Sequence, residues 1–433
     1  MTATGSRRGA PGAEAAAPDG ERVGALDGVR AIAALAVLVY HVAIESAAAL
    51  GEDFFSGLLA RGDVAVPVFF TLSGLLLYRP YAAAALTGGP RPDTRAYLIR
   101  RALRILPAYW LVVAVALALW SPGHVGDPAT WLTLLTLTQT YDPAPWWTGL
   151  GPKGLAQTWS LCVEAAYYLV LPLLAAGLAA FARRGGADVG RRARRLLAGL
   201  GALAALSPVT ILLSHYPVYL PQLNSWLPRS LGYFACGMAL AVVLAWAAAD
   251  PSPGNPARRL RRSVGTAPGA LWLVAALAYA IAVTPVTGPR FAAVEGFWPG
   301  LFEFVLYGTV AACLVAPVAL LPRPGAFAGR LLGNRVMRAL GRISYGVFLW
   351  QFVALYGWYG LTGQRPFTGN FAGNLVAVAA ITIVLAALSH LLVEEPARRL
   401  ARRLTGRPRP AAARTPAPVP AEPQRRTPSA VGR

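Results

Sequence analysis

Apolar runs of about twenty residues recur along the whole chain, and nothing constrains its fold more. Crossing a hydrocarbon core of roughly 30 Å takes about 20 helical residues. With no water there to satisfy the backbone, each crossing has to be a closed helix or a barrel strand. The runs fall at 25–48, 64–84, 102–120, 155–182, 196–215, 228–248, 269–288, 298–321, 340–360 and 372–393. The expected fold class is therefore all-α, a polytopic integral membrane bundle of about ten transmembrane helices. A further run at 128–141 is marginal and reads as an outer-side re-entrant or interfacial segment. Only 14% of the residues are charged, against about a quarter in an average soluble domain, which excludes a cytosolic globule.

The net charge of +21 would suit a nucleic-acid binder, but its distribution points elsewhere. With the N-terminus inside, the inner loops and termini hold the arginines, such as Arg183, Arg184, Arg191, Arg192, Arg194 and Arg195 in one loop and Arg258, Arg259, Arg261 and Arg262 in the next. The other side keeps only Arg61, Lys153, Arg229, Arg290 and Arg365. This asymmetry gives an N-in, C-in orientation and makes membrane lipids, through anionic headgroups, the electrostatic partner in place of nucleic acid. Residues 1–23 and 398–433 are rich in Ala, Gly, Pro and Arg and read as disordered cytoplasmic tails around a membrane domain at 24–397. No cleavable signal peptide is visible, so the first span is expected to act as its own insertion signal. Cys162, Cys236 and Cys313 lie in apolar runs without paired spacing, so neither a disulfide framework nor a metal site is expected.

The loops are too short for a soluble catalytic domain, so any chemistry has to be built among the helices. Ionisable residues at membrane depth are costly and mark functional sites by default. In the first span Arg30 and His41 are eleven residues apart, three turns plus about 20°, which sets them on one stripe roughly 16 Å apart. Arg30 reads either as a snorkelling anchor or as a site residue; His41 is the candidate catalytic group. Asp63 opens the second span, where Pro67, Ser73 and Gly74 interrupt an apolar helix, and it reads either as an interfacial residue or as part of a cavity. Arg100, Arg101 and Arg104 enter the third span on one face, as an inner-surface anchor or as a phosphate site, because guanidinium forks match phosphate oxygens. Ser160, Glu164 and Tyr168 follow one another at i+4 in the fourth span beside Tyr167. A carboxylate so flanked in an apolar helix points to an interior cavity.

Laid out in order, these features resemble the membrane acyltransferase family 3, which includes bacterial O-acetyltransferases of surface glycans and of macrolides. The resemblance covers about residues 24–397. It rests on the Arg30 to His41 spacing, FFTLSG at 69–74, Arg101 and Arg104, TWSLCVE at 158–164, GRISYGVFLW at 341–350 and VEEP at 393–396. It implies a multi-pass protein of a bacterial plasma membrane that moves an acyl group, usually acetyl, from cytoplasmic acyl-CoA to an acceptor hydroxyl on a glycan, glycolipid or secondary metabolite. It also implies that His41 is essential, that Arg30 supports it and that Arg101 and Arg104 meet the coenzyme's phosphates. On this reading Asp63 and Arg30 orient the imidazole or stabilise its charged form, Arg100 joins the phosphate group, and Ser73, Ser160, Glu164 and Tyr345 are cavity groups. Both general-base catalysis by His41 and its direct acylation remain open. The family often follows Trp350 with a histidine; here Gln351 stands there, so no second histidine is assigned, and Cys162 replaces the usual Ser or Thr. A transporter is the rival reading, since helix count and intramembrane charge would suit one.

Overall fold

A computed structural model describes residues 19–290, 296–321 and 330–406. Among the described residues all regular structure is helical. The main helices are α1 (Asp19–Glu45), α2 (Phe54–Ala60), α3 (Ala65–Thr87), α4 (Thr94–Trp120), α5 (Pro128–Leu135), α6 (Trp159–Arg183), α7 (Val189–Ala204) and α8 (Leu206–His215). They continue as α9 (Leu227–Ala249), α10 (Pro256–Thr266), α11 (Pro268–Ala282), α12 (Phe297–Leu320), α13 (Arg335–Thr362), α14 (Phe371–Ser389) and α15 (Glu395–Thr405). Polar loops hand over to apolar helices at side-chain caps: Asp53, Asp93, Asp127, Asp188, Asn255, Asn334 and Asn370 each accept a first-turn amide, satisfying donors that would otherwise be orphaned. Gly88 and Gly363 close α3 and α13 with φ of 71° and 66°, the left-handed conformation that glycine adopts without a Cβ penalty.

Eight helical segments among the described residues are long and apolar enough to cross a membrane, or nine when α10 and α11, bent by 80°, count as one. The chain is a polytopic helical membrane protein. The ninth expected span, 340–360, is α13, which has the length, but its Gly, Ser, Gln, Tyr and Trp residues make it less apolar than the others. The expected span at 196–215 is two helices that begin earlier, at Val189, and join at Ala205. The segment at 128–141 is the short α5 followed by a turn, too short to cross. Helix α1 starts at Asp19, inside the expected N-terminal tail, and α15 extends to Thr405, inside the expected C-terminal one. Arg398 pairs with Glu394 and Arg399 with Glu395 at i+4, the spacing that supports a helix. The rest of both tails lies outside the described residues.

Small residues set the closest helix contacts, as expected where the lipid is as apolar as the side chains. A Cβ on Gly74 of α3 would stand 2.2 Å from the carbonyl oxygen of Phe234, and one on Gly237 of α9 would stand 1.9 Å from that of Thr71. Helices α3 and α9 therefore touch backbone to backbone. Gly341 does the same for α13 against α1, where a Cβ would meet the Asp27 carbonyl at 2.2 Å. Helix α13 also packs on α14, and α6 on α3. These contacts leave a gap where α1, α3, α4, α6 and α13 converge.

Candidate active site

That gap is a cavity of about 280 Å³. Eight residues singled out in the sequence meet in its lining: Arg30 from α1, Ser73 from α3, Arg101 and Arg104 from α4, Ser160, Glu164 and Tyr168 from α6, and Tyr345 from α13. Helical spacing alone puts Arg101 with Arg104 and Ser160 with Glu164 on one face; the glycine contacts bring the faces together. Arg100 lies outside this lining.

Glu164 is the most tightly held of them. Tyr168 donates to its Oε1 at 2.6 Å, one turn along α6, and Ser73 donates to the same oxygen from α3. The Arg101 guanidinium stands 6.0 Å from the Tyr168 ring centre, and its Nε is buried without a hydrogen-bond partner. Arg30 pairs with Asp27 at 3.0 Å. The Ser160 hydroxyl donates to the Gln157 carbonyl and the Tyr345 hydroxyl to that of Ile105, so both brace the scaffold while facing the cavity. Three guanidiniums against one lining carboxylate leave the space electropositive, suited to a phosphate-bearing group.

His41 is half-buried and lies just outside this lining. Helix α1 last contributes Val37, one turn before His41, and α13 last contributes Phe348, one turn before Gln351. Those two polar side chains face each other there, His41 Nδ1 lying 3.0 Å from Gln351 Oε1. The amide orientation is determined by its other end, because Gln351 Nε2 donates to the Phe348 carbonyl at 2.9 Å, an atom that can only accept. Gln351 therefore presents its oxygen to the ring, Nδ1 carries the hydrogen of the neutral imidazole, and Nε2 keeps its lone pair. Tyr40 and Phe352 pack on the ring at centroid distances of 4.9 and 4.4 Å. The expected orienting residues do not reach it: Arg30 lies three turns away on Asp27, and Asp63 is bonded elsewhere.

Asp63 sits in a short 3₁₀ turn before α3 and lines a second cavity of about 540 Å³. It accepts from the Tyr307 hydroxyl at 2.6 Å. Around it Glu303 bridges two arginines, at 3.6 Å to Arg61 and 3.4 Å to Arg229. Sequence reading passed over Glu303 and Tyr307, although a carboxylate in the apolar α12 is the same signal that flagged Glu164. Tyr40, next to His41, lines this cavity, and Val66 and Phe70 of α3 line both cavities. A third space of about 640 Å³ shares Gly149, Leu150, Pro221 and Ser225 with the second and runs on past Tyr141 and Trp226.

Residues 23–393 match the acyltransferase domain that defines acyltransferase family 3. The chain belongs to that family. The chain is 29% identical to acyltransferase MdmB of Streptomyces mycarofaciens over 90% of its own length and 94% of the relative's. It is 25% identical to the putative peptidoglycan O-acetyltransferase YrhL of Bacillus subtilis and 24% identical to the peptidoglycan O-acetyltransferase OatA of Listeria monocytogenes. Those two matches cover 86% and 87% of the chain but only 54% and 56% of the relatives, so it spans about half their length. No solved structure matches it.

The motifs that carried the resemblance have structural work in this family member. In FFTLSG, Phe69 and Phe70 line the first cavity, Thr71 donates to the Tyr233 carbonyl, Ser73 holds Glu164 and Gly74 lets α9 approach. In TWSLCVE, Trp159 lines the second cavity, Ser160 and Glu164 line the first, and Cys162 is a buried free thiol. In VEEP, the buried Glu394 receives Arg398 at 2.8 Å and stacks the π turn at His390–Glu394 onto α15.

Proposed function

We propose that this membrane acyltransferase transfers an acyl group, in the simplest case acetyl, from acyl-CoA to a hydroxyl of a glycan, glycolipid or secondary metabolite, in the plasma membrane of a bacterium with both termini inside. On that orientation the first cavity lies in the inner half, where α1, α4 and α13 begin, and receives the thioester arm with Arg101 and Arg104 on the phosphates. The second lies in the outer half, where α3, α6, α9 and α12 begin, and receives the acceptor. Orientation rests on the arginine distribution; the hydroxyl-bearing acceptor rests on relatives named as O-acetyltransferases.

The observation that carries the reading is the His41 and Gln351 pair, one turn along α1 and α13 from the lining of the first cavity and next in sequence to Tyr40 in the lining of the second. His41 Nε2, left with its lone pair by Gln351, takes the proton of the acceptor hydroxyl as that oxygen attacks the thioester carbonyl. The tetrahedral intermediate collapses with cleavage of the C–S bond, and the departing thiolate recovers the proton from the imidazolium. Positioned base catalysis contributes about 10²- to 10⁴-fold; holding both substrates in attack geometry contributes the remainder. Purified His41→Ala protein, shown to be folded by its elution profile and thermal unfolding, is expected to lose acyl transfer by at least 10²-fold. Near-normal turnover by that variant removes the histidine, and the mechanism with it.

A further inference from the structure

A fourth cavity, of about 540 Å³, opens away from the proposed reaction path, between the end of α3, the loop into α4 and the second half of α6. Arg91, Arg183 and Arg192 line it, and no carboxylate does. Arg192 is held in place by the carbonyl oxygens of Gly186 at 2.6 Å and Leu86 at 3.3 Å, so its charge has no acidic counterpart. Arg91 and Arg183 form no hydrogen bond or ion pair among the described residues. Asp93, the nearest acid to Arg91 along the chain, accepts from the Ala96 amide as the cap of α4, and Asp188, the nearest to Arg183 and Arg192, caps α7 at the Arg191 amide and pairs with the Arg191 side chain.

Apart from Tyr81 and Thr94 the remaining wall is apolar, and part of it is turned outward. Leu173 is 74% exposed on a helix of membrane-crossing length, with Pro172 and Ala176 beside it. A lipid-facing apolar wall thus runs up to an uncompensated arginine trio. That combination fits an amphiphile with an anionic head: guanidinium forks bind phosphate bidentately, and basic pockets between membrane helices take anionic headgroups. A soluble anion would use the arginines and leave the apolar wall without purpose. We propose that this groove binds one anionic phospholipid, its headgroup phosphate on Arg91, Arg183 and Arg192 and an acyl chain along Leu173 and Ala176. Helices α3 and α6 also carry Ser73 and Glu164, so the lipid braces the two helices that frame the first cavity.

The full chain in detergent micelles is titrated with dioleoylphosphatidylglycerol or dioleoylphosphatidylcholine, and bound lipid is counted by native mass spectrometry. Saturable preference for phosphatidylglycerol is expected, weakened roughly 30-fold in an Arg91→Gln and Arg183→Gln double variant, the loss expected for two arginines at a lipid surface. The matching Arg91→Lys and Arg183→Lys variant keeps most of the preference, which separates lost charge from lost fold. Equal binding of the two lipids, or unchanged phosphatidylglycerol affinity in the glutamine variant, overturns the proposal. So does displacement of the lipid by adenosine 3′,5′-bisphosphate, which assigns the arginines to a soluble nucleotide.

Discussion

Replacing Gln351 by leucine keeps a side chain of similar bulk in α13 and removes the amide that faces His41. The ring then loses its 3.0 Å partner at Nδ1, among the Tyr40 and Phe352 rings that offer no acceptor in its place. An unsatisfied buried donor costs about 1–3 kcal/mol. If that free energy falls on the transition state, kcat drops between about 5- and 150-fold, at 1.36 kcal/mol per decade. KM for acyl-CoA is expected to stay unchanged, because Gln351 lies one turn beyond the arginine-lined cavity. Gln351→Glu tests the same geometry from the other direction. Its carboxylate still accepts from Nδ1, and its charge favours the imidazolium, so the acidic limb of the kcat profile moves to higher pH. The assay is thiol release from acetyl-CoA by purified protein, followed across pH with the acceptor saturating. A leucine variant with wild-type kcat, a loss confined to KM, or an unmoved limb in the glutamate variant would each refute the tautomer argument.

Arg101→Gln and Arg104→Gln are each expected to raise KM for acyl-CoA with little change in kcat, while Arg100→Gln, outside the lining, leaves KM alone; equal effects at all three return them to surface anchors. Gly237→Ala places a methyl 1.9 Å from the Thr71 carbonyl and should lower stability by about 1–3 kcal/mol, read as a fall in the thermal unfolding midpoint; an unmoved midpoint means α3 and α9 can separate freely. Tyr168→Phe removes one of two hydroxyls from Glu164 and should cost about 1 kcal/mol, measured by the same unfolding assay; an unmoved midpoint means that the hydroxyl does not hold the carboxyl in place.

Features that live within one helix were legible in the sequence, because 3.6 residues per turn fixes which neighbours share a face. Arg101 with Arg104 and Ser160 with Glu164 and Tyr168 are of this kind, and they lie together as the spacing requires. Partners supplied by a different helix were not legible. Gln351 is 310 positions from His41 and Tyr307 is 244 from Asp63, and no periodicity links such pairs. The shared stripe and the resemblance matched Arg30 to His41, whereas the folded chain gives Arg30 its own neighbour Asp27. Helix breaks were legible for a local reason. The 80° bend after Thr266 has a visible cause in Pro268 at the start of α11, and the join at Ala205 has one in Pro208, which has no N–H to give to the Ala204 carbonyl.

Val66 and Phe70 are finished surfaces of two rooms at once. Any change in their size alters one chamber and the other together, so on the proposed reaction selectivity for the group given and selectivity for the molecule receiving it are tied at these two positions. A variant or a natural descendant that retunes only one substrate has to do so elsewhere, at Tyr345 and Phe348 on one side or at Trp159 and Tyr233 on the other. Libraries built at Phe70 should therefore return paired shifts in both preferences, and libraries at the outlying positions single ones.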